Sequence, residues 1–418
     1  MRSSVFVLAA AALASAAPMY QMWLSLNLSL YLPTSATIGH ETSSSLPAAT
    51  PSIRATKNDD NDSPRATTSN ASMSTAFPNL QRLGQTLLSN DSSPRSDWER
   101  TLLARLDRIR ENCGELCAIN NLQSLEKYTV KPKNETAVSM RQLKVPVDCD
   151  AIMLDEEIDA SDNAIPKAPP EELIPYYTMG GAIDRGFLYV NQTYAGTTAG
   201  IPVWTQGMID RQFQKIWKLE QQNFTQRRIG VGSYGRQSTE MFLRVKEYIP
   251  MKNARVLVIG SEAPWLEGAA LYLGASEVVT LEYGRIESRV PKLIPYLPSE
   301  FRELYRNKTL GLFDVVLSFS SVEHSGLGRY GDALNPWADL LALARARCVT
   351  KPGGYLGLAV PVERRQSLRD IIIFNEKRLY GPHRYPLLTA NWEQLDGEKH
   401  RHRSRKVHPP YAFRNPSN

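Results

Sequence analysis

Three residues of this chain suit proton transfer and nucleoside binding by their type and position. Glu323 and His324 lie in the polar segment SSVEHSGLGRYGD, directly after the apolar run FDVVLSF. Histidine titrates near neutral pH and a neighbouring carboxylate can hold its tautomer, so this pair predicts a general base. Glu282 follows the apolar run EVVTL and lies 22 residues after Gly260, a spacing typical of a carboxylate that accepts hydrogen bonds from ribose hydroxyls. A structural histidine and a solvated strand-end acid are the alternatives.

The apolar runs around these residues have the lengths of buried strands joined by a short helix. RVLVIG ends at Gly260, LEGAALYLG suits a helix, and EVVTLEY is rich in β-branched residues. FDVVLSFSS predicts a third strand, and KPGGYLGLAVPV predicts a turn and a fourth strand. Parallel strands bind ligands beyond their carboxyl ends, so this order predicts a Rossmann-like α/β fold whose site lies at that edge.

The order of these elements resembles the class I S-adenosylmethionine-dependent methyltransferases. The chain is more similar still to the DUF268 family, first described in Caenorhabditis, through GSEAPWLE, SFSSVEHSGLGRYGD, KPGGYLGLAVPV and IIFNEKRLYG within residues 255–381. The resemblance implies a mostly parallel sheet flanked by helices, with S-adenosylmethionine as the cofactor. It also implies methyl transfer to an unknown acceptor, which is a glycan, a protein or a small molecule.

The resemblance places the cofactor around the first glycine and the strand-end acid Glu282. Most class I enzymes have an acid two residues before that glycine, where this chain has Val258. We predict that Glu262 replaces this partner of the cofactor's ammonium group. Trp265 is interpreted as packing at the helix start, and the glycine loop 230–235 with Arg236 either lines the site or only connects two helices. The predicted cofactor-binding residues are Gly260, Ser261, Glu262, Glu282, Tyr283 and Ser320.

The acceptor is expected on the other side of the same edge. An ion pair between Arg329 and Asp332, and folding roles for residues of the FNEKRLYG run, are the alternatives to substrate binding. No metal site is predicted. The predicted substrate-binding residues are Arg329, Tyr330, Asp332, Asn375 and Arg378.

Two other classes of function remain open from the sequence. The altered glycine loop favours a binding or scaffold module that has lost catalysis. Asp148 and Asp150 form a DxD sequence, which suggests a type II glycosyltransferase, with an acidic surface segment as the alternative. The net charge is +6, much of it in the terminal tail, and no nucleic-acid motif is present, so no nucleic-acid partner is expected.

Composition divides the chain into five regions. The N-terminal region combines an apolar run with the sequence Ala14-Ser15-Ala16, which suits signal-peptide cleavage, but its length also suits a single membrane span. The tail leaves no room for a long final hairpin, so the last strand of the sheet is expected to be missing. The predicted regions are 1–32 as signal peptide or anchor, 33–97 as disordered Ser/Thr/Asn-rich stem, 98–201 as helical, irregular and cysteine-containing, 202–397 as methyltransferase-like, and 398–418 as basic disordered tail.

Glycosylation sequons and cysteines both favour the secretory pathway. We expect the chain to be secreted or to face the lumen as a single-pass type II protein of the Golgi or ER membrane, with an unknown oligomeric state. Two of Cys113, Cys117 and Cys149 are expected to pair, and Cys348 is expected to be a buried thiol. Residues from 98 onward show helical periodicity that places Cys113 on the apolar side. The eight sequons begin at Asn27, Asn61, Asn70, Asn90, Asn134, Asn191, Asn223 and Asn307.

Overall fold

The structure is a computed structural model, and its described part begins at residue 97. It describes residues 97–118, 143, 145–154, 168–188, 201–225, 229–330, 332–362, 370–395 and 408–416. Contacts divide the chain into two units, Met1–Asn70 and Ala71–Asn418, and all described residues belong to the second. The predicted signal peptide or anchor and nearly all of the predicted stem therefore lie outside the described residues.

A seven-stranded sheet forms the centre of the described unit. Runs of Val, Ile and Leu that are buried on both faces favour parallel pairing, and among these strands only Pro410–Arg414 (β12) runs antiparallel to the others. This arrangement confirms the predicted α/β fold with a mostly parallel sheet. In spatial order the strands are β6 (Leu293–Tyr296), β4 (Glu277–Leu281), β3 (Arg255–Ile259), β7 (Phe313–Phe319), β8 (Thr350–Ala359), β12 (Pro410–Arg414) and β11 (Glu393–Gln394).

Five short strands form two smaller sheets beside the main one. β9 (Ile371–Phe374) pairs in parallel with β1 (Asp184–Phe187) and antiparallel with β10 (Lys377–Leu379). β2 (Val203–Trp204) pairs in parallel with β5 (Glu287–Ser288).

Helices cover both faces of the central sheet, because alternate residues of each strand point to opposite faces. Val256 and Val258 of β3 share a core with the helices α4 (Gln206–Gln221), α5 (Arg236–Tyr248) and α6 (Trp265–Tyr272). Leu257 between them belongs to the core that contains α7 (Pro298–Arg306) and α8 (Ala338–Cys348). The helices are α1 (Asp97–Cys113), α2 (Cys149–Leu154), α3 (Ile174–Tyr177), α4 (Gln206–Gln221), α5 (Arg236–Tyr248), α6 (Trp265–Tyr272), α7 (Pro298–Arg306), α8 (Ala338–Cys348) and α9 (Tyr385–Leu388), with short 3-10 turns at Gly114–Leu116, Glu171–Leu173, Met179–Gly181 and Val322–His324.

The described parts of the predicted region 98–201 pack into the second of these cores. Helix α1 buries its apolar side there, as the periodicity predicts, through residues such as Leu102, Leu106 and Ile109. Ile152 of α2 and Tyr177 of α3 belong to the same cluster as the residues of α7 and α8. The described parts of 98–201 and 202–397 therefore share one hydrophobic core.

The C-terminal segment corrects two predictions. The predictions are a disordered tail over 398–418 and a missing last strand of the sheet, whereas in the described part of this tail β12 pairs with β8 over five residues, from Pro410 opposite Ala359 to Arg414 opposite Tyr355. Ala412 and Phe413 are fully buried. In the sequence this short apolar strand is hard to recognise, because a basic stretch precedes it. Its two pairing partners, β8 and β11, lie on either side of it only in the folded sheet.

The four cysteines form two pairs. Cys113 pairs with Cys117, as expected for two of the three upstream cysteines. Cys149 pairs with Cys348 across 199 residues, so the prediction of a free thiol at Cys348 is wrong. The reason is tertiary: α2 packs on the end of α8 and brings the two Cα atoms within 5.6 Å.

Two of the predicted sequons fall within the described residues. Asn223 and Asn307 are both exposed at the surface, and the other six lie outside the described ranges. Within those ranges, none of the helices is both long enough and apolar enough to cross a bilayer.

Candidate cofactor and acceptor site

A cavity of about 230 Å³ opens at the carboxyl ends of β3, β4 and β7. Gly260, Glu282 and Ser320, which follow these three strands, all line it, although they are far apart in sequence. Ligands of parallel sheets bind at this edge. The cavity is also lined by Ser261, Glu262, Tyr283, His324, Tyr330 and Asp332, so the structure brings most of the predicted site residues together.

Gly260 makes the tight turn after β3. Its φ is +73°, and a Cβ atom built on it would lie 1.8 Å from Ser321 Oγ. Its N–H donates to Leu281 O at 2.9 Å. Only glycine combines this left-handed backbone with so close an approach to the segment after β7.

The Glu282 carboxylate lies beside this turn. Ser261 N–H donates to its Oε2 at 2.8 Å and Tyr283 N–H to its Oε1 at 2.7 Å. Burial raises the pKa of Glu282, although these backbone donors oppose the shift. Gly284 N–H is a third backbone donor to this carboxylate. A carboxylate has about four acceptor positions, so it retains the capacity to bind a ribose hydroxyl. The Tyr283 ring next to it is 37% exposed and forms part of the cavity wall.

A buried acid that the sequence analysis did not single out lies behind the glycine turn. Glu267 of α6 is fully buried, and it accepts hydrogen bonds from Ser261 Oγ and Thr280 Oγ1, both at 3.0 Å. Burial raises its pKa to about 7. Glu262, the predicted replacement for an acid at position 258, is exposed at the cavity instead. The sequence signal that could have identified Glu267 is its position as the single acid within the apolar helix WLEGAALY.

The buried Glu267 predicts a specific pH dependence of stability. Its pKa rises from 4.5 to about 7 on folding, so its protonated form stabilises the fold fully below about pH 4.5, and this contribution is lost as the pH rises through 7. Glu267→Gln should therefore gain about 2.5 kcal/mol relative to wild type between pH 5 and pH 8. Urea unfolding at both pH values measures this difference, with the exposed Glu247→Gln as the control. Parallel stability curves for wild type and Glu267→Gln would contradict the prediction.

Aromatic side chains form one wall of the cavity. Phe319, the last residue of β7, contacts the Tyr234 ring at 4.8 Å and the Trp265 ring at 5.2 Å between centroids. The loop 230–235 passes so close that a Cβ on Gly232 would lie 2.4 Å from the Trp265 ring. This loop therefore lines the cavity, through Ser233 and Tyr234. Arg236 pairs instead with Glu240 on the surface of α5.

The segment after β7 holds the predicted general base. His324 Nδ1 bonds the carbonyl of Glu376, and because a carbonyl only accepts, Nδ1 carries the proton and Nε2 is the free nitrogen. Nε2 lies 3.6 Å from Glu323 Oε1. The tautomer is therefore held by Glu376 O and not by Glu323, which corrects the predicted role of that carboxylate. Burial lowers the pKa of His324, although Glu323 opposes the shift.

Glu323 is fully buried and is held as an anion. Ser320 Oγ donates to its Oε1 at 2.8 Å, and Ser320 has a φ of +50° that turns the chain sharply after β7. Burial acts to raise the pKa of Glu323, but the imidazoles of His324 and His408 outweigh it, and the pKa lies below the usual value.

The predicted acceptor residues 329–332 partly line the cavity. The Tyr330 ring lies edge-on to His324 at 5.5 Å, and burial raises its pKa to about 12. Asp332 accepts the N–H groups of Gly326 at 2.5 Å and of Tyr330 at 3.2 Å, and burial raises its pKa to about 6. The Arg329 guanidinium lies over the Tyr330 ring, 5.2 Å from its centroid. Tyr330 and Asp332 are thus the members of this group at the cavity.

Asn375 and Arg378 do not line the cavity, which corrects their predicted role as substrate ligands. Both are 1% exposed, since the run FNEKRL folds into the β9–β10 hairpin. Arg378 donates to Ser325 O at 2.6 Å and to Glu323 O at 3.3 Å. Asn375 has a φ of +62° at the hairpin turn. The hairpin supports the backbone of the 322–326 segment from behind.

The DxD sequence is not arranged as a metal site. Asp148 Oδ1 accepts the N–H of Ala151 at the start of α2, and Tyr305 Oη donates to Asp150 Oδ1 at 2.7 Å. No cluster of three or more His, Cys, Asp or Glu side chains suited to a metal ion occurs in the described ranges.

Comparison with known proteins agrees with the resemblance expected from the sequence. Residues 253–407 match a family described as "Caenorhabditis protein of unknown function, DUF268". None of the curated proteins matches the chain. Similar solved structures include the N-methyltransferase NodS of Bradyrhizobium japonicum WM9, at 15% identity over 44% of this chain and 95% of that one with a TM-score of 0.28.

Two further solved structures are similar to a part of the chain. An S-adenosylmethionine-dependent methyltransferase of Mesorhizobium loti is 11% identical over 44% of this chain and 100% of its own, with a TM-score of 0.31. NodS in complex with S-adenosyl-L-homocysteine is 14% identical over 50% and 98%, with a TM-score of 0.27. The α/β fold with a mostly parallel sheet rests on the strand pairing within this chain, and the site residues are assigned from their own geometry.

Proposed function

We propose that this protein transfers a methyl group from S-adenosylmethionine to a hydroxyl oxygen of an acceptor. The observation that carries the proposal is the pairing of two groups across one cavity: the Glu282 carboxylate beside the Gly260 turn, and His324 with its free Nε2 after β7. The first suits a nucleoside and the second suits proton removal. S-adenosylmethionine, when bound, supplies an electrophilic methyl group on a sulfonium.

The chain offers a partner for each part of this cofactor. Glu282 accepts a hydrogen bond from a ribose hydroxyl, and the Tyr283 ring forms an apolar wall for the adenine. Ser261 and Glu262, on the bulky loop after Gly260, face the amino acid end. Glu267 behind Ser261, with a pKa raised by burial to about 7, is partly ionised near neutral pH, and an ammonium group bound nearby would favour its anion.

On the acceptor side, His324 Nε2 removes the hydroxyl proton. Because its pKa is lowered by burial, the ring is neutral at physiological pH and ready to accept. Ionised Glu323, 3.6 Å from Nε2, stabilises the imidazolium that forms. Tyr330 and Asp332 position the acceptor beside it.

We place this activity in the secretory pathway, with a glycan, a protein or a small molecule as the acceptor. Two disulfides support an oxidising compartment, and the exposed sequons at Asn223 and Asn307 support a glycosylated luminal or secreted protein.

Replacing Glu282 with glutamine tests the cofactor site. The variant keeps the shape of the side chain but loses its charge, and hydrogen bonds to a charged group contribute about 1.5–3 kcal/mol each. We expect the affinity for S-adenosylmethionine to fall about 100-fold in calorimetric titration. Glu287→Gln, an exposed neighbour on β5, should bind as wild type does. A folded wild-type protein that binds neither S-adenosylmethionine nor S-adenosylhomocysteine would refute the proposed function.

A binding or scaffold module is the second candidate. It is favoured by one observation: the loop after Gly260 is Ser261-Glu262-Ala263-Pro264, and Ser261 Oγ is already engaged with Glu267 and Ala263 O. Under this function the Glu282→Gln variant would leave partner binding intact.

A further inference from the structure

His408 lies two residues before β12, far along the chain from the other site residues, yet its ring contacts them. The ring stacks on Phe319 with centroids 5.6 Å apart. Its Nε2 lies 3.0 Å from Ser320 Oγ and 3.6 Å from Glu323 Oε1. Because β12 pairs between β8 and β11, the sheet itself sets the position of this histidine.

Gln237 fixes the orientation of the His408 ring. Gln237 Oε1 lies 3.2 Å from the backbone N of His408 and 3.0 Å from its Nδ1. A backbone N–H only donates, so the amide atom that faces it is the oxygen. The same oxygen faces Nδ1, which therefore carries a proton. Ser320 Oγ gives its one proton to Glu323 Oε1, so it accepts from His408 Nε2 at 3.0 Å, and Nε2 also carries a proton.

His324 has the matching arrangement on the other side of Glu323. Its Nδ1 is bound to Glu376 O, and its Nε2 lies 3.6 Å from the same Glu323 Oε1. Two imidazoles therefore converge on one fully buried carboxylate. Within the described part of the chain, Glu323 Oε2 has no hydrogen-bond partner, so the anion depends on its Oε1 contacts. A buried anion without such partners takes up a proton.

We infer that His408 is a positioning residue of the proposed site, which keeps Glu323 ionised and oriented toward His324 Nε2. The inference rests on the proposed function. When His324 accepts the proton, the acceptor O–H bond breaks, an N–H bond forms, and the ring becomes a cation that ionised Glu323 stabilises. Without His408, Glu323 retains the hydrogen bond from Ser320, because the neutral His324 ring has no proton on Nε2, and it loses its charge more readily. His408 and Gln237 both lie outside residues 253–407, which match the family.

Other charged and titratable groups face this network and stay unchanged in the variants below. Arg329 and Lys377 act on His324, and Tyr234 contacts the His408 ring at 5.9 Å. Glu323 also acts on Tyr330 and Tyr380, and its carbonyl accepts from Arg378. A change in the titration of Glu323 on removal of His408 therefore reports that contact.

Two substitutions in the full chain test the inference. In His408→Gln we expect the pKa of Glu323 to rise by about one unit or more, measured by carboxyl ¹³C NMR and assigned with Glu323→Gln. Gln237→Met, which removes the acceptor for His408 Nδ1, should cause a smaller shift in the same direction. The matched control is His383→Gln, because His383 lies two residues before α9. This variant should leave the titration of Glu323 unchanged.

The same variants should alter methyl transfer in a way that a purely structural role does not. The reaction needs ionised Glu323, so the acid limb of the pH–rate profile should move to higher pH in His408→Gln by about the measured shift of the Glu323 pKa, with the loss of kcat largest at acidic pH and unchanged calorimetric affinity for S-adenosylmethionine. An unshifted Glu323 titration in both folded variants would overturn the inference. Absence of S-adenosylmethionine binding by wild type, with the NMR coupling intact, would overturn the proposed function instead.

Discussion

Replacement of His324 by glutamine should lower kcat for methyl transfer by about 10²–10⁴-fold, the range typical of a lost general base. The side chain lines the cavity, and its Nε2 is the ring nitrogen left free by the bond from Nδ1 to Glu376 O. Glutamine fills similar space but does not accept a proton at neutral pH. The affinity for S-adenosylmethionine should stay within about twofold of wild type, because Glu282 and the Gly260 turn hold the cofactor.

The wild-type rate should also depend on pH with a defined sign. The pKa of His324 is lowered by burial, and the neutral ring is the active form. The rate should therefore be constant near neutral pH and fall as the pH drops through the lowered pKa of His324.

Labelled methyl transfer to hydroxyl-bearing glycans, proteins and small molecules identifies the acceptor, and single-turnover rates with that acceptor then compare the variants. His383→Gln is the control, since it removes a histidine of the same domain whose backbone N–H is bound to Asp370. A His324→Gln protein that binds cofactor and retains the wild-type rate would show that another group removes the proton.

Replacement of Gly260 by alanine should lower the free energy of unfolding by about 3 kcal/mol and abolish cofactor binding. The new Cβ would lie 1.8 Å from Ser321 Oγ, and overpacking of this kind costs about 1–3 kcal/mol. The φ of +73° adds about 1–2 kcal/mol for a residue with a side chain. Relief of the overlap requires the turn after β3 and the segment after β7 to separate, which moves Glu282 and His324 apart.

A second substitution separates the two causes. Ser321→Gly removes the overlapping hydroxymethyl group, so the double variant Gly260→Ala/Ser321→Gly should recover the overpacking part and retain only the backbone strain. Gly207→Ala in α4 is the control: its Cβ would lie at an ordinary 3.5 Å from Arg211, and it should raise stability by about 0.5–1 kcal/mol. Chemical unfolding and calorimetric titration measure both effects. Equal stability of the single and double variants would show that the overlap with Ser321 contributes nothing.

Local sequence was sufficient for the central part of the fold and for one half of the site. Runs such as RVLVI and FDVVLSF are apolar enough to be buried on both faces, which determines parallel strands without knowledge of the rest of the chain. The end of a parallel strand is also the edge where its ligand binds. Gly260, Glu282 and His324 were therefore predictable as members of one site from their positions after β3, β4 and β7.

Residues whose role depends on distant partners were beyond local patterns. Arg378 is predicted from the sequence to bind the substrate, but the β9–β10 hairpin buries it against the carbonyls of residues 323 and 325. Cys348 is predicted from the sequence to be a buried thiol in an apolar helix. In the structure, α2 brings Cys149, which is 199 residues away in the chain, to pair with it.

The role of His408 at the site was likewise beyond prediction from local sequence. It stands next to a basic stretch that local composition favours as a solvated tail. Only the pairing of β12 with β8 places its Nε2 3.6 Å from Glu323. By itself the sequence determined the strands and the residues that end them, because burial and periodicity are local properties. The tertiary structure decided which side chains surround Glu323, because those contacts join segments that the chain keeps far apart.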